Sequence, residues 1–261
     1  MKSKIQLNIQ AKTKNGFKKL ALICVLLVVY TTTLFAQTAE KKSYQMFNTQ
    51  MMKPKRGHEK QFEDAVKAHI TKFHPAGPYA ARLSVITDGS GSDGWYVWAM
   101  GPLTYTDLDK MPQGNKVHDD DWSKMVDVHV DETGESTFWK LQDELSFTPP
   151  NYKPERLDVW LIDIEPGMRY QFADLMKKWK GMFEAKKYTY AMRVFYNDLW
   201  SGKGQDVSIV YSFANYADFD MDVSWRNDYE SVYGAGSWDN FWKAWNDCVV
   251  NSDEHLRKFI K

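Results

Sequence analysis

The chain spells nearly the same five residues twice, "YTDLD" from Tyr105 to Asp109 and "YADFD" from Tyr216 to Asp220, 111 positions apart. An internal repeat constrains a fold more tightly than composition does. Each copy must form the same unit, and the copies must then cover each other's apolar faces. The pentapeptide is one of several matches. "QFEDAVKAHITKF" (Gln61 to Phe73) and "QFADLMKKWKGMF" (Gln171 to Phe183) share Gln-Phe-x-Asp at an offset of 110. The first stretch puts Phe62, Val66, His69, Ile70 and Phe73 on one helical face; the second does so with Phe172, Leu175, Met176, Trp179, Met182 and Phe183. Each helix opens after a glycine, Gly57 or Gly167.

Extended runs precede these helices, Tyr44 to Met52 and Leu157 to Glu165. Alternating runs follow them, "YAARLSVIT" (Tyr79 to Thr87) and "YAMRVFYND" (Tyr190 to Asp198), which share Tyr-Ala-x-Arg. Glycine-rich turns then lead to "WYVWAM" and "VSIVYSF" as hairpin partners. The doubled pentapeptide reads as a strand end entering a helix start, where aspartates stabilise free amides. Beyond it two registers compete. An offset of 103 pairs "FWK" at Phe138 with "FWK" at Phe241; an offset of 120 pairs Trp122, Met125 and Asp127 with Trp242, Trp245 and Asp247. The second keeps helix over helix and needs only a loop about nine residues longer around "WRNDYESVYGAGS".

Each copy therefore reads β-α-β-β-α-β, over residues 44–147 and 156–261, with "TPPNYKPE" (148–155) as a proline-bearing linker. A ferredoxin-like unit of this order, used twice, resembles the dimeric α+β barrel superfamily, including its NIPSNAP-like and antibiotic-monooxygenase-like members. The resemblance implies an α+β fold in which two antiparallel sheets close a pseudo-dimeric barrel with helices outside. One chain then supplies both sheets, and no oligomer is required. The superfamily spans cofactor-free monooxygenases, isomerase-like enzymes and haem proteins such as chlorite dismutase, so the resemblance identifies no reaction. In the haem members the usual ligand histidine lies in the C-terminal copy, where this chain has only His255.

Residues 1–36 have the order of a secretory signal: lysines from Lys2 to Lys19, an apolar run from Leu20 to Tyr30, and "FAQ" with a cut after Ala36. Residues 37–43 form a short tail, and the mature chain is expected to be exported, to the periplasm or the exterior. The apolar run is shorter than the roughly 20 residues of a spanning helix, so no membrane span is expected in the mature chain. Thirty-four basic residues balance 34 acidic ones, which removes any global attraction to nucleic acid. Cys248 is the one cysteine left after the signal, so no internal disulfide forms and the core alone must hold the fold.

No nucleophile elbow, zinc-protease helix, phosphate loop or dinucleotide fingerprint is present. His69 lies on the apolar stripe of the first helix, where the second copy has Trp179; it is the candidate catalytic base, and a core imidazole is the alternative. Strand parity sends Arg82 and Arg193 away from the helices, where they are candidate ligand-binding groups along with Trp98, Trp179 and Tyr190. Met51, Met52, Trp98, Trp139 and Trp160 either line a cavity or fill it. "HDDD" (His118 to Asp121) reads as an acidic helix start, since adjacent side chains point apart. No metal and no cofactor are assigned. The reading is an exported barrel that binds a small apolar or aromatic molecule. The alternatives are a cofactor-independent monooxygenase- or isomerase-type enzyme and a structural protein of the cell envelope.

Overall fold

The computed structural model describes residues 44–111, 115–150, 152–199, 205–220 and 224–261, so the expected signal and its cleavage point lie outside the described residues. The first half runs through β1 (Met46–Pro54), α1 (Glu59–Phe73), β2 (Ala81–Gly89), β3 (Tyr96–Leu103), α2 (Tyr105–Leu108) and α3 (Lys116–Asp121) to β4 (Val130–Leu141). The second runs through β5 (Arg156–Ile164), α4 (Arg169–Lys186), β6 (Met192–Asn197) and β7 (Val207–Phe213), then α5 (Trp225–Tyr233), α6 (Ser237–Cys248) and β8 (Val249–Phe259).

The eight strands close a barrel in the order β1-β3-β2-β8-β5-β7-β6-β4. Within it each half keeps the ferredoxin-like order, β4-β1-β3-β2 and β8-β5-β7-β6. The halves join where β2 pairs antiparallel with β8 and β4 with β6. An open four-stranded sheet leaves two rows of unpaired backbone groups at its edges, and here each half satisfies the other's.

Repeat register explains the matching letters. Met46 and Arg156 begin equivalent strands, and Glu59 and Arg169 begin equivalent helices, at the 110 offset. Gly57 and Gly167 take positive φ, 83° and 88°, in the turns before those helices, a conformation glycine adopts without steric cost. In both pentapeptides the middle aspartate caps. Asp107 accepts from the Thr104 amide and hydroxyl, each at 2.7 Å, and Asp218 accepts from the Ala214 and Asn215 amides at 2.7 and 3.2 Å. The pentapeptide was repeated because the same chain reversal needs the same cap.

Two expectations change in detail. The additional segment of the second half is no loop, because Trp225 to Tyr233 form helix α5. The last strands sit at an offset of 119, not 120, since Val130 pairs with Pro54 as Val249 pairs with Ile164. The helices before them share that offset: the Lys55 amide donates to the His129 carbonyl as the Glu165 amide donates to the Cys248 carbonyl, each at 2.8 Å, and Trp122 packs on His69 as Phe241 packs on Trp179. The "FWK" match has no structural counterpart, as Phe138 lies in β4 and Phe241 in α6.

Helices cover the outer faces of the sheet through two separate apolar layers. Phe62, Val66, Leu83 and Trp98 belong to the first; Phe172, Met176, Val194, Ile209 and the buried thiol Cys248 belong to the second. Strand parity works as expected. Ala81, Leu83, Met192 and Val194 face these layers, while Arg82 pairs with Ala99 and Arg193 with Val210 on the opposite face. Among the described residues no helix is long and apolar enough to cross a membrane.

Candidate functional site

The larger of two described cavities, about 750 Å³, lies in the second half. Alternation along β5 puts Asp158 and Trp160 on the helix-facing side, and β8 sets Glu254 opposite Trp160. Tyr211 from β7, Tyr190 ahead of β6 and Trp225 from α5 supply further rings, and the Trp225 indole donates to the Tyr190 hydroxyl at 3.1 Å. Pro149, Pro150, Tyr152 and Pro154 from the linker form another wall. Phe219, in the second pentapeptide, packs edge-on to Phe213 at 4.9 Å on the rim.

Two polar atoms in this aromatic setting make no hydrogen bond of normal length and angle within the protein, although Glu254 and the Trp160 indole stand close enough to Asp158 to shift its carboxyl. Asp158 is 7% exposed, and its Oδ1 accepts no hydrogen bond. The indole Nε1 of Trp160 donates none. A buried polar atom without a partner costs about 1–3 kcal/mol, so an acceptor and a donor left open in one cavity are a natural place for a ligand's own polar groups. Burial, and then the charge of Glu254, raises the Asp158 carboxyl from the ordinary carboxylate range to about 7. Burial also raises the Tyr190 and Tyr211 hydroxyls, which stay protonated.

The sequence candidates scatter. Tyr190 lines this cavity, as does Trp160. Trp179 is buried on α4 behind the wall, edge-on to Trp225 at 5.2 Å. Arg193 lies over the Phe47, Tyr152 and Phe195 rings at 5.0–5.8 Å, a cation–π setting. Arg82 is exposed and lines the other cavity, about 320 Å³, with Lys67 and Lys261. The two arginines form no common site.

His69 lines neither cavity. It is fully buried under α1 in the first half, with Nδ1 2.8 Å from Asp121 Oδ2 and Nε2 3.3 Å from His118 Nε2. Nε2 faces the His118 ring rather than a cavity, and the aromatic cavity belongs to the other half, so His69 cannot act as the base there. His74 stands beside it, with Nδ1 2.9 Å from the Tyr79 carbonyl and Nε2 3.1 Å from His118 Nε2. Burial is the main cause lowering both imidazoles, His74 to about 4, so both are neutral. Trp98 packs edge-on to His74 at 5.1 Å and lines no described cavity. His69 and the "HDDD" run lie far apart in the sequence, where no metal is expected; the fold brings His69, His74 and His118 together.

Haem does not fit the second half. His255 accepts from Arg257 Nε at 2.7 Å and sits on the face of β8 opposite Glu254, away from the cavity. The space under α4 is packed by Trp179, Phe183 and Phe241.

Asp158 was missed. Its signal was present: in "LDVWLIDIE" it shares a strand face with Trp160, Ile162 and Ile164, and a lone carboxylate in an apolar row is unusual.

Comparison with protein-family models and with curated protein sequences finds no match. Solved structures do match in fold. A proposed monooxygenase from Fusobacterium nucleatum aligns at 10% identity and TM-score 0.56, over 84% of this chain and 94% of its own. One from Lactobacillus acidophilus aligns at 10% and 0.52, over 83% and 94%. Chlorite dismutase from Candidatus Nitrospira defluvii, in complex with imidazole, aligns at 9% and 0.52, over 84% and 93%. With the closed strand order, these likenesses show that the chain has the dimeric α+β barrel fold, built from two ferredoxin-like halves of one polypeptide.

Proposed function

We propose that the second half binds a small hydroxylated aromatic molecule in its 750 Å³ cavity. The observation that carries this reading is the partnerless Asp158 Oδ1 among Trp160, Tyr190, Tyr211 and Trp225. The rings offer stacking surface, the carboxylate accepts the ligand's hydroxyl proton in a hydrogen bond, and the Trp160 N–H donates to a second ligand oxygen. Pocket volume and composition are those of small-molecule sites.

The test pairs 2-naphthol with naphthalene, followed by quenching of tryptophan fluorescence. Asp158→Asn is expected to weaken 2-naphthol by about tenfold or more, the worth of a hydrogen bond to a charged group. Naphthalene should change by less than about twofold, because it makes no such bond. Equal losses for both ligands, or no binding of either, reject the reading.

A second reading rests on the same carboxyl. A pKa of about 7 suits a general base. Asp158 would take the phenolic proton, becoming neutral and leaving a phenolate, the electron-rich species that dioxygen, as co-reactant, would oxidise. Oxygen uptake that requires both the phenol and Asp158 separates an enzyme from a binder.

A further inference from the structure

The first half holds a cluster that the aromatic cavity does not use. His69 lies near the end of α1, and His74 follows as its C-cap, with φ −129° and ψ 37°, so the chain leaves the helix and turns this imidazole back toward His69. His118 reaches in from α3. Nδ1 of each ring faces only an acceptor: Asp121 Oδ2 at 2.8 Å, the Tyr79 carbonyl at 2.9 Å and Asp119 Oδ1 at 2.9 Å. Carboxylate and carbonyl oxygens cannot donate, so all three Nδ1 atoms carry the proton. The neutral tautomer then leaves a lone pair on every Nε2. These three atoms converge, with His118 Nε2 3.3 Å from that of His69 and 3.1 Å from that of His74, and all three within 4.8 Å of one another.

Three lone pairs aimed at one point repel unless a cation sits between them. A single added proton serves only one pair of nitrogens, so one imidazole stays unsatisfied. We propose that His69, His74 and His118 bind one divalent transition-metal ion of the zinc type. Tetrahedral coordination at Zn–N distances of about 2.0–2.1 Å sets nitrogens roughly 3.3–3.4 Å apart, close to the two separations observed. Borderline imidazole donors select zinc and its first-row neighbours over calcium or magnesium. Nδ1–H donation to a carboxylate or carbonyl is the arrangement that orients metal-binding histidines and raises their basicity. Asp121 and Asp119 also place two carboxylates behind the rings, the first of them shared with Lys72 at 2.7 Å. Phe73 and Trp122 pack against His69 at 4.8 and 5.0 Å, and Trp98 packs against His74. This apolar collar keeps water from competing. Three protein ligands leave a fourth position for water or a small anion.

The experiment is calorimetric titration of chelator-treated full-length protein with Zn2+, repeated with Co2+ while recording its visible absorption. One ion per chain with tetrahedral cobalt bands is expected. His118→Ala and the size-conserving His118→Gln should each weaken uptake by about a hundredfold or more. Asp121→Asn, which removes only a positioning carboxylate, should weaken it by about 10- to 100-fold. His58→Ala should change nothing, although His58 and His129 form a separate histidine pair, 3.1 Å apart at Nδ1. No uptake by wild type that is folded by circular dichroism would overturn the site and leave a shared proton as the cluster's occupant. Uptake lost with His58 but kept in both His118 variants would overturn it equally.

Discussion

Equivalent positions of the two halves carry opposite chemistry. His69 and Trp179 occupy the same place on α1 and α4, and both are buried. Around His69 the filling is imidazole, with His69 tied through Nδ1 to Asp121 and the adjoining His74 tied through Nδ1 to the Tyr79 carbonyl. Around Trp179 it is aromatic, with Trp225, Trp238 and Phe241 within 6 Å and no bond to the Trp179 indole nitrogen. The strands beneath repeat the contrast. Asn48 and Gln50 in β1 donate to the Thr137 and Gly134 carbonyls at 3.3 and 2.9 Å, whereas their counterparts Asp158 and Trp160 have open atoms. One scaffold thus tolerates two specialisations. Polar groups close the first half around a point, and non-directional ring packing lets the second half keep a cavity.

The largest test of this contrast asks whether it is confined to side chains. Phe62 and Phe172, both fully buried, are equivalent positions. Replacing either with Ala should cost about 3–5 kcal/mol. Because each half completes the other's sheet, both variants should unfold in one transition seen alike by fluorescence and circular dichroism. Two separated transitions would mean that the halves are energetically independent.

Exchanging the strand residues sharpens the comparison. Asn48→Asp places a carboxylate against the Thr137 carbonyl oxygen and should destabilise by about 1–3 kcal/mol in urea unfolding. Asp158→Asn should instead remove a pH dependence. The folded-state pKa of Asp158 is raised to about 7 from an unfolded value near 3.8, so between those values the native state binds more protons than the unfolded chain. Wild-type stability must therefore fall as pH rises from about 4 to about 7, and the slope should flatten in the variant. An unchanged slope would assign it to other groups.

The smallest effect should be the one the halves share. Asp107→Ala and Asp218→Ala each remove a cap and should cost about 1 kcal/mol. Near-equal losses would show that the pentapeptide does the same work twice, and a loss in one half only would make the second copy a remnant.

The repeat was legible because its evidence is local. Helical periodicity, strand alternation and a capping aspartate are written into a few adjacent residues, and a duplicated unit repeats them. That is why the offsets near 110 located six of the eight strands and both long helices. Helix α5 was legible but set aside as a loop: Trp225, Tyr229, Val232 and Tyr233 in "WRNDYESVY" recur at helical spacing, and burial of Tyr229 and the contact of Trp225 with Trp179 hold the helix in place. His69 was conspicuous on an apolar stripe, but its partner His118 is 49 residues away. Asp158 was visible as a misfit in an apolar row.

Periodicity, charge order and doubled words in the chain were sufficient for the order of the strands and long helices, the duplication and the face each strand turns to the helices, since all of these follow from neighbours in sequence. Closure was needed for the rest. Only when α1 met α3 did the distant His118 join His69 and His74 around a common centre, and only when β5 was enclosed by β7, β8 and the helices was Asp158 desolvated, because hydrogen bonding and desolvation are properties of what surrounds a group in space.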